Sequence, residues 1–441
     1  MPSQNLFADH IATLQKNYQS ALSHCEDLQK NSILIHSGSE HFYFHDDRAI
    51  AFQAFGHFLH WLPVNSPDQF LLFSPGQRPR YIQVIPTDFW HDQNIVNESW
   101  WAESFDIIRL AKVEELTTHI QASDTIYLGE ETNFAQSLLG AELLCNPDSL
   151  LHFIDYKRAY KSDYELEQLR EANVKGLIGH NAARQAFQEG CNEYQIHQAY
   201  LGACGILENE APYTNIIALD EKSAILHYQN KRQGDASNSQ VLLIDAGYRV
   251  NGYGSDITRT YAKPTAHPLF LELLQGMEHL EAELVAAVVP GKNYTEIHDL
   301  TLSKIGDLLN NLGIVTASSS TMQENRIPQL FMPHGVGHLL GIQVHDVAGF
   351  QQDVKGTRVP APEHSPALRN TRTIEQNMVF TIEPGCYFIP MILEPLRATE
   401  IGKLLNWELI DALYPFGGIR IEDNIRVTET GAENLTRNPQ H

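Results

Sequence analysis

The chain has 441 residues, more than one hydrophobic core usually spans, so two domains are expected. Hydrophobic residues make up 43% and charged residues 19%, a globular balance, and 54 Asp plus Glu against 31 Lys plus Arg leave a formal charge of −23. So acidic a surface repels nucleic-acid phosphates and anionic membranes, and neither is expected as a partner. The five cysteines (Cys25, Cys145, Cys191, Cys204, Cys386) are scattered without CxxC spacing. They argue against a disulfide framework or a thiolate zinc site and suit a reducing compartment. The N-terminal stretch is polar and periodic, and no uncharged apolar run reaches the length of a membrane span. The expected location is the cytoplasm.

Residues 1 to about 30 read as an amphipathic helix. The runs SILIHSG, FLLFSPG, RYIQVIP, FDIIRLA and TIYLGEE follow, each short, apolar and bounded by Gly, Pro or Asp. They predict the strands of an α/β layer domain. After the first of them, HFYFHDDRAIAFQAFGHFLHWLP brings a cluster of aromatics and the adjacent Asp46 and Asp47. Ser162-Asp-Tyr-Glu165 has the spacing of a capping box and opens a long helix to about Gln188. The domain boundary is therefore placed within 153–161, giving an N-terminal α/β domain over 1–158 and a second domain over 159–441. In the second domain helices are predicted near 193–207, 268–289 and 294–312. Strands are predicted in QVLLIDAGY, DITRTYA, MVFTIEPGCYF and GGIRIEDNIRVT. Helices on an antiparallel sheet make an α+β domain. The segment from about 353 to 372, rich in Pro and charge, reads as a loop and a candidate lid.

Four segments of the second domain carry the chemistry. In VLLIDAGYRVNGYGSDITRTYA, Val241, Leu243 and Asp245 alternate onto one strand face, as do Asp256, Thr258 and Thr260 on the next. The glycines between them permit a hairpin-like return that brings Asp245 and Asp256 together. Each aspartate abuts an apolar or β-prone run, where an unpaired charge is costly. In PHGVGHLLGIQVHDVAGF, His334 and His338 are four apart, but Gly335 and Gly337 argue against a helix, so the two need not share a metal. His345 follows in the same segment. MVFTIEPGCYF places Glu383 at a strand end. GGIRIEDNIRVT places Glu422 between isoleucines, a position that needs compensation from Arg420 two residues away or from a metal. Together these supply Asp245, Asp256, His338, Glu383 and Glu422. Four carboxylates and an imidazole suit two adjacent divalent ions such as Mn, Co or Zn, with bridging carboxylates and room for an activated water.

The order Asp, Asp, His, Glu, Glu, carried by DAG, SDITRT, HGVGH, VHDVAG, TIEPG and IRIEDN, resembles the pita-bread metallopeptidases. Within them it is similar to bacterial prolidases, including those that hydrolyse organophosphorus acid anhydrides. The motifs span roughly residues 160–435. The resemblance implies a C-terminal pita-bread catalytic domain behind a smaller α/β domain, and a cytoplasmic homodimer that hydrolyses Xaa-Pro dipeptides. It implies two metal ions per chain, manganese first and cobalt or zinc as alternatives. Asp245 would ligate one metal and His338 the other, Asp256 and Glu422 would contact both, and Glu383 would complete the His338 metal and move the proton. His345 would stabilise the tetrahedral intermediate. His227, His334 and Arg420 would face the substrate, and Arg369 would hold its carboxylate. Asp46 or Asp47 would meet the substrate amine from a neighbouring subunit, and Tyr213, Tyr294 and Leu368 match pocket positions of the organophosphate-active members. Aminopeptidase P is the alternative within the fold, and a lyase on the same scaffold is a weaker one.

Overall fold

The computed structural model describes residues 4–25, 28–87, 89–90 and 99–437. It divides into two compact units, one of Met1–Gln168 with Asp353–Thr357 and one of Leu169–Gln352 with Arg358–His441.

The first unit opens with α1 (Gln4–His24), whose buried Phe7, Ile11, Leu14, Tyr18 and Leu22 recur at helical spacing. The predicted apolar runs form β1 (Ser32–His36), then, after α2 (Gly56–Trp61), β2 (Gln69–Phe73), β3 (Arg80–Val84), β4 (Asp106–Leu110) and β5 (Thr125–Leu128). Helix α3 (Thr132–Leu139) leads to the short β6 (Leu144–Cys145), and α4 (Asp148–Arg158) follows. The six strands form one mixed sheet in the order β4-β3-β2-β1-β5-β6. Leu34, Phe70, Leu72, Ile82 and Tyr127 share a buried core on it. Helix α5 (Asp163–Gln188) starts on the predicted capping box, with Ser162 N–H donating to Glu165 Oε2 at 2.8 Å and Glu165 N–H to Ser162 Oγ at 3.4 Å.

In the second unit α6 (Glu193–Cys204) ends on Gly205, in the left-handed region at φ 67°. Strands β7 (Ile216–Leu219) and β8 (Val241–Asp245) come next, then the tight hairpin β9 (Arg249–Val250) and β10 (Tyr253–Gly254), and β11 (Thr258–Ala262). Helices α7 (Pro268–Ala287) and α8 (Tyr294–Asn311) precede β12 (Val379–Ile382), β13 (Gly385–Tyr387), β14 (Gly418–Arg420), β15 (Asp423–Val427) and β16 (Ala432–Asn434). All strand pairs here are antiparallel. β8 shows how the sheet is used: Leu242 and Ile244 pack with Phe187, Ile196 and Tyr200 of α5 and α6, while Leu243 packs with Tyr387 on the other face. Asp245 continues that second face.

The strands depart from the predicted ones in two ways. MVFTIEPGCYF and GGIRIEDNIRVT are not two continuous strands: the first breaks at Glu383-Pro384 and the second at Ile421-Glu422. Asp256 lies two residues before β11 rather than on it. A proline has no N–H for the ladder, which accounts for the first break, and Ile421 N–H reaches instead to Pro384 O at 3.2 Å.

Candidate metal centre

The break is where the functional side chains gather. Before it Ile382 pairs with Asp423, and after it Gly385 pairs with Arg420, so the register is unchanged across the gap and Glu383 stands opposite Glu422. A further cross-strand row runs Asp245, Thr258, Glu422: Thr258 pairs with Asp245 on one side and bridges to Glu422 on the other. The segment before Leu340 lies along β12, with Leu339 bridged to Phe380, Thr381 N–H donating to His338 O at 3.0 Å and His338 N–H to Thr381 Oγ1 at 3.2 Å. This sets His338 Nε2 3.3 Å from Asp256 Oδ2 and 3.8 Å from Glu383 Oε1. Ligand-capable atoms of Asp256, His338 and Glu422, all buried, lie within 4.8 Å of one another.

The electrostatics fit cations. Burial raises the carboxyls of Asp245, Glu383 and Glu422, each further raised by its acidic neighbours, and Glu383 is pushed up to about 7. Burial also opposes ionisation of Asp256, but the hydrogen bond and charge of His338 hold it below the usual range. Two glutamates opposed on a ladder repel each other, and Asp245 Oδ1 is buried without a hydrogen-bond partner among the described residues. His338 Nδ1 lies 3.0 Å from Leu339 O, so its proton goes there and Nε2 is left as a ligand atom. A second group, His10, His60 and Glu165 in the first unit, also brings three potential ligands together. Its capacity is already used: His10 engages Ser162 Oγ and His60 O, both at 2.8 Å, and Glu165 caps α5.

A cavity of about 350 Å³ opens on the centre, lined by all five candidate ligands and by His227, His334, His345, Arg369 and Arg420. Arg420 hydrogen-bonds Asp245 and reaches Glu422 through its charge alone: Nη2 donates to Asp245 Oδ2 at 2.6 Å, Nε to Thr258 Oγ1 at 3.1 Å and Nη1 to Tyr387 Oη at 3.0 Å. Thr258 in turn donates to Glu422 Oε2 at 2.6 Å. Because Arg420 can only donate, the Tyr387 proton is directed to His334 Nε2, 2.9 Å away, and His334 Nδ1–H to Gly335 O at 2.7 Å. Burial and Arg420 lower His334 to about 3, so it is a neutral wall of the cavity with both nitrogens engaged. His345 packs edge-on to His338 with ring centroids 4.3 Å apart, and burial, His338 and Arg369 lower it to about 4. The buried Tyr213 hydroxyl lies beside the carboxylates, its pKa raised by burial, Asp245, Asp256 and Glu422. Tyr294 is wholly buried and donates to Thr381 O at 2.7 Å, and Leu368 is core beneath Gly335. Asp46 and Asp47 are exposed on a turn of the first unit, where the Asp46 carboxylate accepts Arg48 N–H, and they do not line the cavity. Sequence reasoning gave no role to Tyr387 or Thr258, although strand alternation puts Tyr387 on the face of Glu383 and Thr258 on that of Asp256.

The profile of metallopeptidase family M24 matches residues 167–429, and that of the Xaa-Pro dipeptidase N-terminal domain matches residues 5–156. Xaa-Pro dipeptidases of Pseudoalteromonas atlantica and Aeromonas hydrophila are each 42% identical over 439 residues, covering 98% of this chain and 98% of theirs. Among solved structures, the low-pH form of aminopeptidase P from E. coli superposes with a TM-score of 0.76 at 21% identity, covering 100% of this chain and 97% of that one. Proline aminopeptidase P II from Yersinia pestis gives 0.71 at 21%, with 96% of each chain covered. At that identity the likeness is one of fold, and it bears out the expected pita-bread domain behind a smaller N-terminal one. With a family profile over more than half of its length and relatives matching nearly all of it, the chain belongs to metallopeptidase family M24 and is a metal-dependent hydrolase.

Proposed function

We propose that this enzyme is a cytoplasmic Xaa-Pro dipeptidase whose Asp245, Asp256, His338, Glu383 and Glu422 hold two divalent cations, manganese first, with cobalt or zinc as substitutes. The observation that carries the reading is the opposition of Glu383 and Glu422 on the interrupted ladder, with His338 and Asp256 beside them. When bound, the cations would lower the pKa of water and polarise the scissile carbonyl. Glu383, at the cavity wall beside the proposed cations, is placed to take a proton and return it to the leaving nitrogen. His345, neutral at pH 7, is suited to donate to the developing oxyanion. Arg420 is committed to Asp245, Thr258 and Tyr387, which leaves Arg369 as the guanidinium for the substrate carboxylate.

A proline nitrogen carries no N–H, so recognition falls on the two ends of the dipeptide. His227 and His334, which line the cavity, face the substrate in this reading, and Asp46 of a second copy in a homodimer receives the amine. The scattered cysteines, without CxxC spacing, support the reducing compartment, and no helix among the described residues is long and apolar enough to cross a membrane. A side activity on organophosphorus triesters rests on the resemblance of Tyr213 to a pocket position of the organophosphate-active members. The test is metal analysis with a panel of Gly-Pro, Leu-Pro, Gly-Pro-Pro, a non-proline dipeptide and a phosphotriester. The expected result is close to two ions per chain, rapid cleavage of the Xaa-Pro dipeptides alone and slow triester hydrolysis. Rapid release of glycine from Gly-Pro-Pro would move the assignment to aminopeptidase P.

A further inference from the structure

Thr258 and Arg259 are neighbours on β11, so they point to opposite faces of the sheet. Thr258 faces the centre and holds the Glu422 carboxylate. Arg259 does not line the cavity. Its Nη1 donates to the main-chain oxygens of Thr258 at 2.8 Å and Glu422 at 2.7 Å, and its Nη2 donates to Asp423 Oδ1 at 2.6 Å. Glu422 is thus gripped twice, by its carboxylate from one face and by its carbonyl from the other. The grip has a backing. Asp423 Oδ2 accepts from Asn434 Nδ2 at 2.6 Å and from Arg437 Nε at 2.5 Å, and Arg437 reaches Glu278 at 2.9 Å and the fully buried Glu281 at 3.2 Å on α7.

We propose that Arg259, braced by Asp423 and Arg437, is a positioning residue for the metal ligand Glu422, so that the C-terminal segment and α7 set how tightly the centre holds its ions. The inference rests on the ligand set proposed above. Charge and geometry act with opposite signs here, which makes the two separable. Removing a positive charge near a cation site strengthens cation binding, whereas releasing the Glu422 main chain weakens it. Lysine keeps the charge of Arg259 but has no planar fork to span two carbonyls and a carboxylate.

The experiment titrates Mn²⁺ into metal-free full-length protein by calorimetry for the wild type, Arg259→Lys, Arg437→Ala and Glu422→Ala, and records the melting temperature of each metal-free protein. Arg259→Lys is expected to lose about 10–100-fold in Mn²⁺ affinity, the range for a lost outer-shell partner. Its kcat should recover at saturating Mn²⁺ with KM for Leu-Pro unchanged. Arg437→Ala, at a position 36% exposed, should lose affinity several-fold in the same direction. Wild-type or tighter binding in both variants, with only a lower melting temperature, overturns the clamp and leaves a structural role. Should Arg259→Lys not fold, Arg437→Ala decides alone by the same criterion. Glu422→Ala tests the other premise: if it binds Mn²⁺ as the wild type does, the ligand set fails, whatever the clamp variants do.

Discussion

At the scale of single residues, the site separates groups that hold charge from groups that respond to it. Asp245, Asp256, Glu383 and Glu422 bring four carboxylates into one buried cluster, and among the lining side chains Arg420 and His338 answer them directly. His345 stands apart. It touches the ring of ligand His338, yet neither of its nitrogens is held by a hydrogen bond among the described residues. A neutral imidazole facing the cavity with an unused N–H is an economical donor to an oxyanion, and such a contact strengthens only as the transition state forms. His345→Ala is therefore expected to bind two ions as the wild type does and to keep KM for Leu-Pro within a few fold. Its kcat should fall by about 10²–10³, the range for a lost oxyanion donor. Metal titration beside steady-state kinetics checks this, and unchanged turnover in the fully metallated variant would remove His345 from the catalytic set.

At the scale of elements, the centre depends on a ladder that stops and resumes in register, and on a glycine-bearing segment laid along its edge. Alternation along the strands was enough to put Asp245, Glu383 and Glu422 on the right faces, because successive side chains point to opposite faces even where, as here, both faces are buried. Pro384 carries the signal for the interruption, since a proline cannot sit in a central strand. What alternation cannot convey is which distant segment lies beside which. The pairing of His338 with Thr381, and the hydrogen bond of Arg420 to Asp245, depend on tertiary register between segments far apart in the chain. Gly337 marks that contact. It has φ +152°, and a Cβ there would sit 2.2 Å from Thr381 O and 2.3 Å from Tyr294 Oη. Either the segment or β12 must move to admit it, and His338 and Glu383 move with them. Gly337→Ala is expected to lower the stability of the metal-free protein by about 1–3 kcal/mol, the usual cost of overpacking, and to lower bound metal as well. Denaturant unfolding and metal analysis read the two effects, and an alanine variant with wild-type stability would show that the contact yields freely.

At the scale of the whole molecule, buried histidines make part of the stability sensitive to acid. Burial lowers His60 to about 4, His180 to about 3 and His298 to about 4, so all three are folded in the neutral form. The sign follows from linkage. A group with a depressed folded pKa favours the folded state above its unfolded value, about 6.5 for histidine, and that contribution is lost as pH falls toward the folded value. The histidine part of the metal-free protein's stability should therefore fall from about pH 6.5 to pH 4. The raised carboxyls of Asp245, Glu383 and Glu422 act with the opposite sign, so each histidine variant is compared with the wild type at the same pH. His298 isolates the effect. It is 1% exposed on α8, and neither ring nitrogen has a hydrogen-bond partner among the described residues. His180, by contrast, engages Ala246 O at 2.9 Å. Replacing an unpaired buried polar group by an apolar one of similar size is close to neutral or stabilising, whereas removing a paired one orphans its partner. His298→Leu should thus match or exceed wild-type stability at pH 7 and gain on the wild type as pH falls toward 4, while His180→Leu should lose stability at pH 7. Melting temperatures across that range decide it, and a gap between His298→Leu and the wild type that does not widen toward pH 4 would assign the sensitivity to other groups.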